Sequence, residues 1–591
     1  GDTHIRFGNA IWTGSSVRTN PYAYMLSSFK EYNENTLNTS LKINQKLDFV
    51  TKGLSVQAMV NWKNWASSSY NRTIEPYYYG IKGGSYEIER LGTSGTDYLK
   101  TSDISKASDQ TFYLDARVNY DRQFNLHHVT GMLMYMQREY RSSVLPERNQ
   151  GFSGRFTYDY GQRYLVELNF GYNGTERLAK KERFEFFPAV SLGWVISNEK
   201  FFEPMTKYID NLKIRGSYGL VGSDETGLSA GAQHFLYIDQ VSLNNIGFTT
   251  GVDMNYTLYG PLVTNYAVVN GGWERVKKLD IGIDLELFRQ LTITADYFNE
   301  KRYNILLHRE AWPESLGYYT AKPWSNKGKV DNWGIELSVN WRKEFTKDLY
   351  VDFRGNFTYT ENKYVNLDEP VYPYVWKTST GKPLSRTTGY IAQGLFSSQE
   401  EIDNSPTQNL GSTVKPGDIK YRDVNGDGKI DGSDQVMISP YGTTPRIQYG
   451  LGMNVTYKKF DFGVFFNGSA KRTIMISGIS PFGQSDYNVM QFIADDYWSE
   501  SNPNPNAKYP RLGLTSSQTA NNTVASTYWM RNGNFIRFKT LELGYKFKYG
   551  RVYLNGDNIA VFSPFKLWDP ELSWNAYPLQ RTFNIGVQLN F

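Results

Sequence analysis

The residues Ile447–Tyr457 alternate without a break. Ile447, Tyr449, Leu451, Met453, Val455 and Tyr457 point one way, and Gln448, Gly450, Gly452, Asn454 and Thr456 the other. A period of two is the period of a strand. The same scheme returns along the chain. Val166, Leu168, Phe170 and Tyr172 oppose Glu167, Asn169, Gly171 and Asn173. Ile281, Ile283, Leu285 and Leu287 oppose Gly282, Asp284 and Glu286. It recurs at 54–62, 334–341 and 541–547, and again at the end, where Phe583, Ile585, Val587, Leu589 and Phe591 oppose Thr582, Asn584, Gly586, Gln588 and Asn590. The apolar face is large and often ends in an aromatic residue. The other face is small and polar and includes carboxylates. Glu167 on that face implies water beside it, because a buried unpaired carboxylate is costly.

This pattern predicts about sixteen strands and no strong helical period longer than about 11 residues. The segments 63–110 and 220–275 show no sustained period and read as loops. Very short connections alternate with very long ones. A soluble sandwich accounts for single strands equally well. A propeller needs a repeat of roughly 40–50 residues, and none is present. Short turns on one side, long loops on the other and aromatic strand ends at Trp62, Tyr172, Trp341, Tyr457 and Phe591 favour a transmembrane antiparallel β-barrel.

Composition narrows the chemistry. The 591 residues contain no cysteine and five histidines, which excludes disulfides and thiolate metal sites and leaves little histidine chemistry. With 64 basic against 59 acidic residues there is no electrostatic footprint for nucleic acid. No apolar run approaches the roughly 20 residues of a membrane helix. The opening GDTHIRFGNA has no leader pattern.

Several separated motifs carry a family resemblance. They include FFPAVSLGWVISNEKFF at 186–202, NLKIRGSYGLVGSDE at 211–225, WERVKKLDIGIDLELF at 273–288 and ITADYFNEKRYNILL at 293–307. NKGKVDNWGIELSVNW at 326–341, GDIKYRDVNGDGKIDGSDQVMI at 417–438, YWMRNGNFIRFKTLELGY at 528–545 and DPELSWNAYP at 569–578 follow in order. Together they resemble the SusC/RagA-like TonB-dependent outer-membrane transporters of Bacteroidetes. The resemblance implies an all-β chain forming most of a 22-stranded barrel in a Gram-negative outer membrane. It implies that the plug and the first strands lie outside 1–591. It also implies import of oligosaccharides or peptides, energised by the TonB complex through that plug, under a SusD-like surface lipoprotein, in contact with membrane lipid or lipopolysaccharide. The loops 222–275, 362–420 and 470–530 are the expected extracellular contacts. A passive porin-like or surface-binding barrel is the other reading.

One stretch carries chemistry of its own. Counting from Asp423, oxygen side chains fall at positions one, three, five, nine and twelve: Asp423, Asn425, Asp427, Asp431 and Asp434. Lys429 stands where a calcium loop offers a carbonyl, Gly428 at the sharp turn and Ile430 where the loop anchors. The expectation is a structural Ca²⁺ site. An ion-free cluster of Asx turns is the alternative. No catalytic constellation emerges. Asp569 and Glu571 read as a turn, and Ser223, His234 and Asp239 as polar residues of a long loop. His127 and His128 read as interfacial. Lys180, Lys181 and Arg183, like Lys277 and Lys278, read as solvated charge.

Overall fold

In a computed structural model of the chain, residues 5–590 are described apart from 14, 15, 19, 84, 93, 94, 143–145, 226–235, 269, 270, 317–321, 478–488, 514, 574 and 575. Phe591 and His234 therefore lie outside the described residues. The chain divides into two units. Gly1–Arg122, Gly131–Gly154 and Tyr172–Glu176 make the first, and Gln123–Thr130, Arg155–Gly171 and Arg177–Phe591 the second.

In the first unit, β1 (Ser28–Lys46) and β2 (Leu54–Thr73) pair antiparallel along their whole length, from Ser28 opposite Thr73 to Lys46 opposite Ser55. β3 (Ser105–Phe124) takes the other edge of β2. Gly53 turns β1 into β2 at φ +87°, and a Cβ there would stand 1.9 Å from the Asp121 carbonyl oxygen, so the position admits only glycine. The expected loop over 63–110 is corrected here. β2 runs on to Thr73 and β3 begins at Ser105. The extension through ASSSYNRT has polar residues on both faces, so it shows no hydrophobic alternation. Backbone pairing with β1 holds it as a strand.

The division between the units falls within β3, at Arg122 and Gln123, and within β4 (His127–Arg141), β5 (Glu147–Tyr160) and β6 (Tyr164–Thr175). In the second unit, eleven strands form a meander: β7 (Phe184–Val195), β8 (Ile209–Ser223), β9 (Glu274–Leu287), β10 (Leu291–His308), β11 (Trp324–Thr346), β12 (Leu349–Asn366), β13 (Ile447–Tyr457), β14 (Phe460–Ala470), β15 (Phe535–Phe547), β16 (Gly550–Phe562) and β17 (Thr582–Leu589). Each is antiparallel to the next.

The register keeps the two faces apart. One row across the sheet reads Ile281, Tyr297, Ile335, Tyr359, Ile447. The row beside it reads Arg215, Gly282, Asp296, Glu336, Thr358, Gln448. A shift of one residue in any pairing would exchange these faces, so the pattern fixes the register. The apolar face is bare: Ile585 is 80% exposed, Val587 61% and Leu589 52%. A sheet meant for water covers such a face with a second layer.

The two ends of this sheet differ. At one end the strands are joined by 196–208, 288–290, 347–348, 458–459 and 548–549. At the other they are joined by 224–273, 309–323, 367–446, 471–534 and 563–581. The stretch read as a loop over 220–275 contains a hairpin, Gln240–Thr250 with Tyr256–Asn265. Its register breaks repeatedly, which removes the period that would have revealed it. No helix of the described residues is long and apolar enough to cross a membrane.

Candidate functional site

The long connections 367–446 and 471–534 fold together into one cap. Short strands organise it. Thr387–Gly389 pairs with Val436–Ser439, Ala392–Leu395 with Ile419–Tyr421, and Thr473–Met475 with Met530–Asn532. Its core draws on both connections: Ile419, Tyr421 and Ile430 from the first, Ile493, Tyr509 and Trp529 from the second. Phe565 joins from 563–581. Trp529 and Ile430 are fully buried. Burying a large apolar side chain contributes about 1.5–3 kcal/mol, and here each such burial ties one connection to the other.

A buried polar network completes the joint. Gln408 Nε2 donates to Asn521 Oδ1 at 2.7 Å, and Gln408 Oε1 accepts from Tyr421 N at 2.7 Å. Asn522 Oδ1 accepts from Ile419 N at 2.9 Å, while its Nδ2 donates to Asp418 Oδ1 at 2.7 Å. Arg511 Nε lies 2.7 Å from Asp418. Burial pushes the Asp418 carboxyl above the usual range, with Arg511 opposing. Burial raises the Tyr421 hydroxyl as well, and that hydroxyl donates to the Asn521 carbonyl at 2.8 Å. Asn521 and Asn522 sit in SSQTANNT, whose sequence carries no apolar period, so nothing marked them as the fastening.

The acidic loop lies inside the cap. Lys429–Ile430 forms a two-residue strand parallel to Thr407–Gln408, and Gly432–Asp434 is a 3-10 turn. Ile430 anchors the loop in the core. Gly426 and Gly428 take φ of +76° and +80°. Asp423 accepts from Gly426 N at 2.6 Å and Gly428 N at 2.8 Å. Asp427 accepts from Lys429 N at 2.9 Å and from Asn425 Nδ2 at 2.9 Å. Buried Asp434 accepts from Val424 N at 2.8 Å and Asp431 N at 2.9 Å. Asp431 accepts from Ser433 N at 2.7 Å, and that bond holds its carboxyl below the usual range. Among the described residues no three His, Asp or Glu side chains gather around one point. The donor set is nonetheless all oxygen, as a hard cation requires, and each carboxylate oxygen that takes an N–H keeps a further lone pair. Trp376 and Lys377 clamp the loop from outside, donating to Ser433 O at 2.8 Å and Gly432 O at 2.6 Å.

The remaining sequence candidates resolve individually. Asp569 and Glu571 both hold Arg537, which is 2% exposed, at 2.7 and 2.8 Å. They fasten 563–581 to the start of β15 and are not an acid–base pair. Ser223 accepts from Glu225 N within its own turn, and Asp239 accepts from Ala267 N across the base of the hairpin that follows it. His127 meets Tyr158 and His128 meets Asp159. Lys278 pairs with Glu300 at 2.7 Å.

The polar face of the sheet is laced with charge. Arg215 on β8 reaches Asp280 and Asp284 on β9 at 3.2 and 3.3 Å and Asp296 on β10 at 2.6 Å. Arg551 on β16 holds Asp461 and Glu542. Glu167 is paired with Arg155 at 2.7 Å and remains partly exposed. It also accepts from Asn169 Nδ2 at 2.8 Å. Sequence reading foresaw the polar face but not these partners, which are brought together only by register.

One bare apolar face, one charged face and long connections gathered at one end are the construction of an outer-membrane β-barrel. The chain belongs to the family described as TonB dependent receptor-like, beta-barrel, which it matches over residues 2–559. It is 25% identical over 581 residues to TonB-dependent receptor P3 of Formosa agariphila, covering 91% of this chain and 54% of that protein. It is 25% identical over 629 residues to TonB-dependent receptor SusC of Bacteroides thetaiotaomicron, covering 99% of this chain and 59% of that protein. The chain thus spans little more than half the length of these relatives. Its fold is similar to that of the RagAB peptide transporter, with a TM-score of 0.73 at 16% identity over 98% of this chain and 64% of that one. The family is one of transporters rather than enzymes, and its place is the outer membrane of a Gram-negative cell.

Proposed function

We propose that this chain is the barrel body of an energised nutrient importer. Its strands close into most of a 22-stranded barrel whose bare apolar face meets lipid, and the plug and remaining strands belong to the rest of the protein. Cargo, an oligosaccharide or a peptide, enters past the cap and along the charged face, driven by the TonB complex acting on the plug. A SusD-like surface lipoprotein covers the outer mouth. The observation that carries this reading is the cap: two long connections folded as one body at a single end of the sheet. Loops with no task are seldom this long or this well packed. A capping partner needs at least about 1,000 Å² of surface, and the long connections supply it. The relatedness to SusC and the likeness to the RagAB transporter support the partner and the cargo class. Affinity capture of the full-length protein from intact outer membranes tests this. Recovery of a surface lipoprotein is the expected result, and recovery of the barrel protein alone contradicts the capped reading.

The loop 423–434 is proposed to hold one Ca²⁺ in a structural role. Asp423, Asn425, Asp427, Asp431 and Asp434 supply side-chain oxygens and Lys429 its carbonyl. Three features support it: the spacing, the left-handed glycines and the anchored Ile430. Calcium should raise the melting temperature of the protein, and Asp427→Asn should weaken that shift. A melting curve indifferent to calcium and chelator removes the proposal.

A further inference from the structure

The short-connection end of the second unit carries an inference that rests on the barrel reading. Four lysines there lie over aromatic rings beside them in sequence. Lys207 Nζ is 5.6 Å from the ring centre of Tyr208, Lys343 5.1 Å from Phe345, Lys458 5.5 Å from Tyr457 and Lys548 5.0 Å from Tyr549. All four rings are exposed. Each pair flanks a different short connection: 196–208, 347–348, 458–459 and 548–549. Tyr457 continues the bare apolar face of β13. On β11, Lys343 and Phe345 continue the face of Leu337, Val339 and Trp341, and Lys343 stands in register with Val351. A lysine in an apolar row is tolerated in lipid when its amine reaches the interface.

The charge balance at this end is uneven. Arginines occupy the carboxylates: Arg163 with Glu199 at 3.4 Å, Arg289 with Asp210 at 3.4 Å, Arg342 with Asp352 at 3.1 Å. Among the described residues, none of the four lysines has an ion-pair partner. Glu203, Glu344 and Asp348 are outnumbered at this end once Lys347, Lys459 and Lys546 are added to those four. The result is a positive rim that repeats connection by connection. Its units are spaced along an edge and do not merge into one patch, which fits several small anionic groups better than one macromolecule.

We infer that this rim binds the anionic headgroups of glycerophospholipids in the leaflet that the short connections enter. Each amine donates to a lipid phosphate while the neighbouring ring sits at the level of the acyl esters. The full-length protein, extracted and incubated with equimolar dioleoylphosphatidylglycerol and dioleoylphosphatidylcholine, tests this by native mass spectrometry of the retained lipid. The wild type should retain the phosphatidylglycerol in several-fold excess over the phosphatidylcholine. Replacing the four lysines (K207Q, K343Q, K458Q and K548Q together) should cut that preference at least about threefold, and high salt should weaken it. Four Lys→Arg changes should preserve it. Equal retention of both lipids by the wild type, or an unchanged preference in the glutamine variant, overturns the inference. Heat-modifiable gel mobility reports folding of each variant. If the fourfold variant does not fold, the K458Q/K548Q pair is read with the same two outcomes. A wild-type protein that never inserts into bilayers contradicts the barrel reading instead.

Discussion

Asn522 does more than its side chain's size suggests. It satisfies the Ile419 amide and one oxygen of buried Asp418 at once. Removing one partner of a buried hydrogen bond costs about 1–3 kcal/mol, because the group left behind has no water to turn to. Asn522→Ala should therefore loosen the joint between the two connections while the sheet holds. Hydrogen exchange should accelerate at 408–421 and 511–529 and stay unchanged in β13 and β14. Uniform exchange across wild type and variant would show that the joint does not depend on this residue. Such residues are the least legible in a sequence. Asn521, Asn522 and Gln408 are ordinary polar residues of loop-like stretches, and the bonds from Gln408 to Asn521 and from Ile419 to Asn522 span 113 and 103 positions. The acidic loop is the opposite case. Its spacing displays the donors directly, and Ile430 anchors it as the spacing predicts. What the spacing did not disclose is that each carboxylate is already turned onto a backbone N–H of its own loop.

Strands were legible wherever one face was apolar, at Ile447–Tyr457 and Thr582–Leu589 above all. They were lost where both faces are polar, as in Ser67–Thr73 of β2, or where bulges reset the register, as in the hairpin over 240–265. Register adds what alternation cannot: depth. Leu589 pairs with Gly550 beside the short connection 548–549, whereas Ile585 pairs with Leu554 further along the strands. An arginine on the lipid face costs about 2–4 kcal/mol near the bilayer midplane and about 0–1 kcal/mol near the interface. Ile585→Arg should thus impair membrane insertion far more than Leu589→Arg, although Leu589 belongs to the same apolar face. Folding titrations into lipid vesicles measure both. Equal penalties would mean that the strand does not cross the bilayer in this register.

At the scale of the molecule, two features were legible and one was not. Alternating strands and alternating connection lengths together point to a membrane barrel, and the family match agrees. The cap was foreseen only as separate long loops. Its unity depends on Ile419 and Ile430 sharing one core with Trp529 and Ile493, which are distant in sequence and share no motif with them. The proposed importer admits cargo past this cap and moves it through a plugged barrel only when energy is supplied. Uptake decides this most directly. Cells expressing the full-length protein are offered a panel of labelled oligosaccharides and oligopeptides, and accumulation is followed before and after the proton gradient is collapsed. The account predicts that accumulation of the accepted cargo stops when the gradient is lost. Accumulation that continues at the same rate without the gradient would contradict it and identify a passive pore.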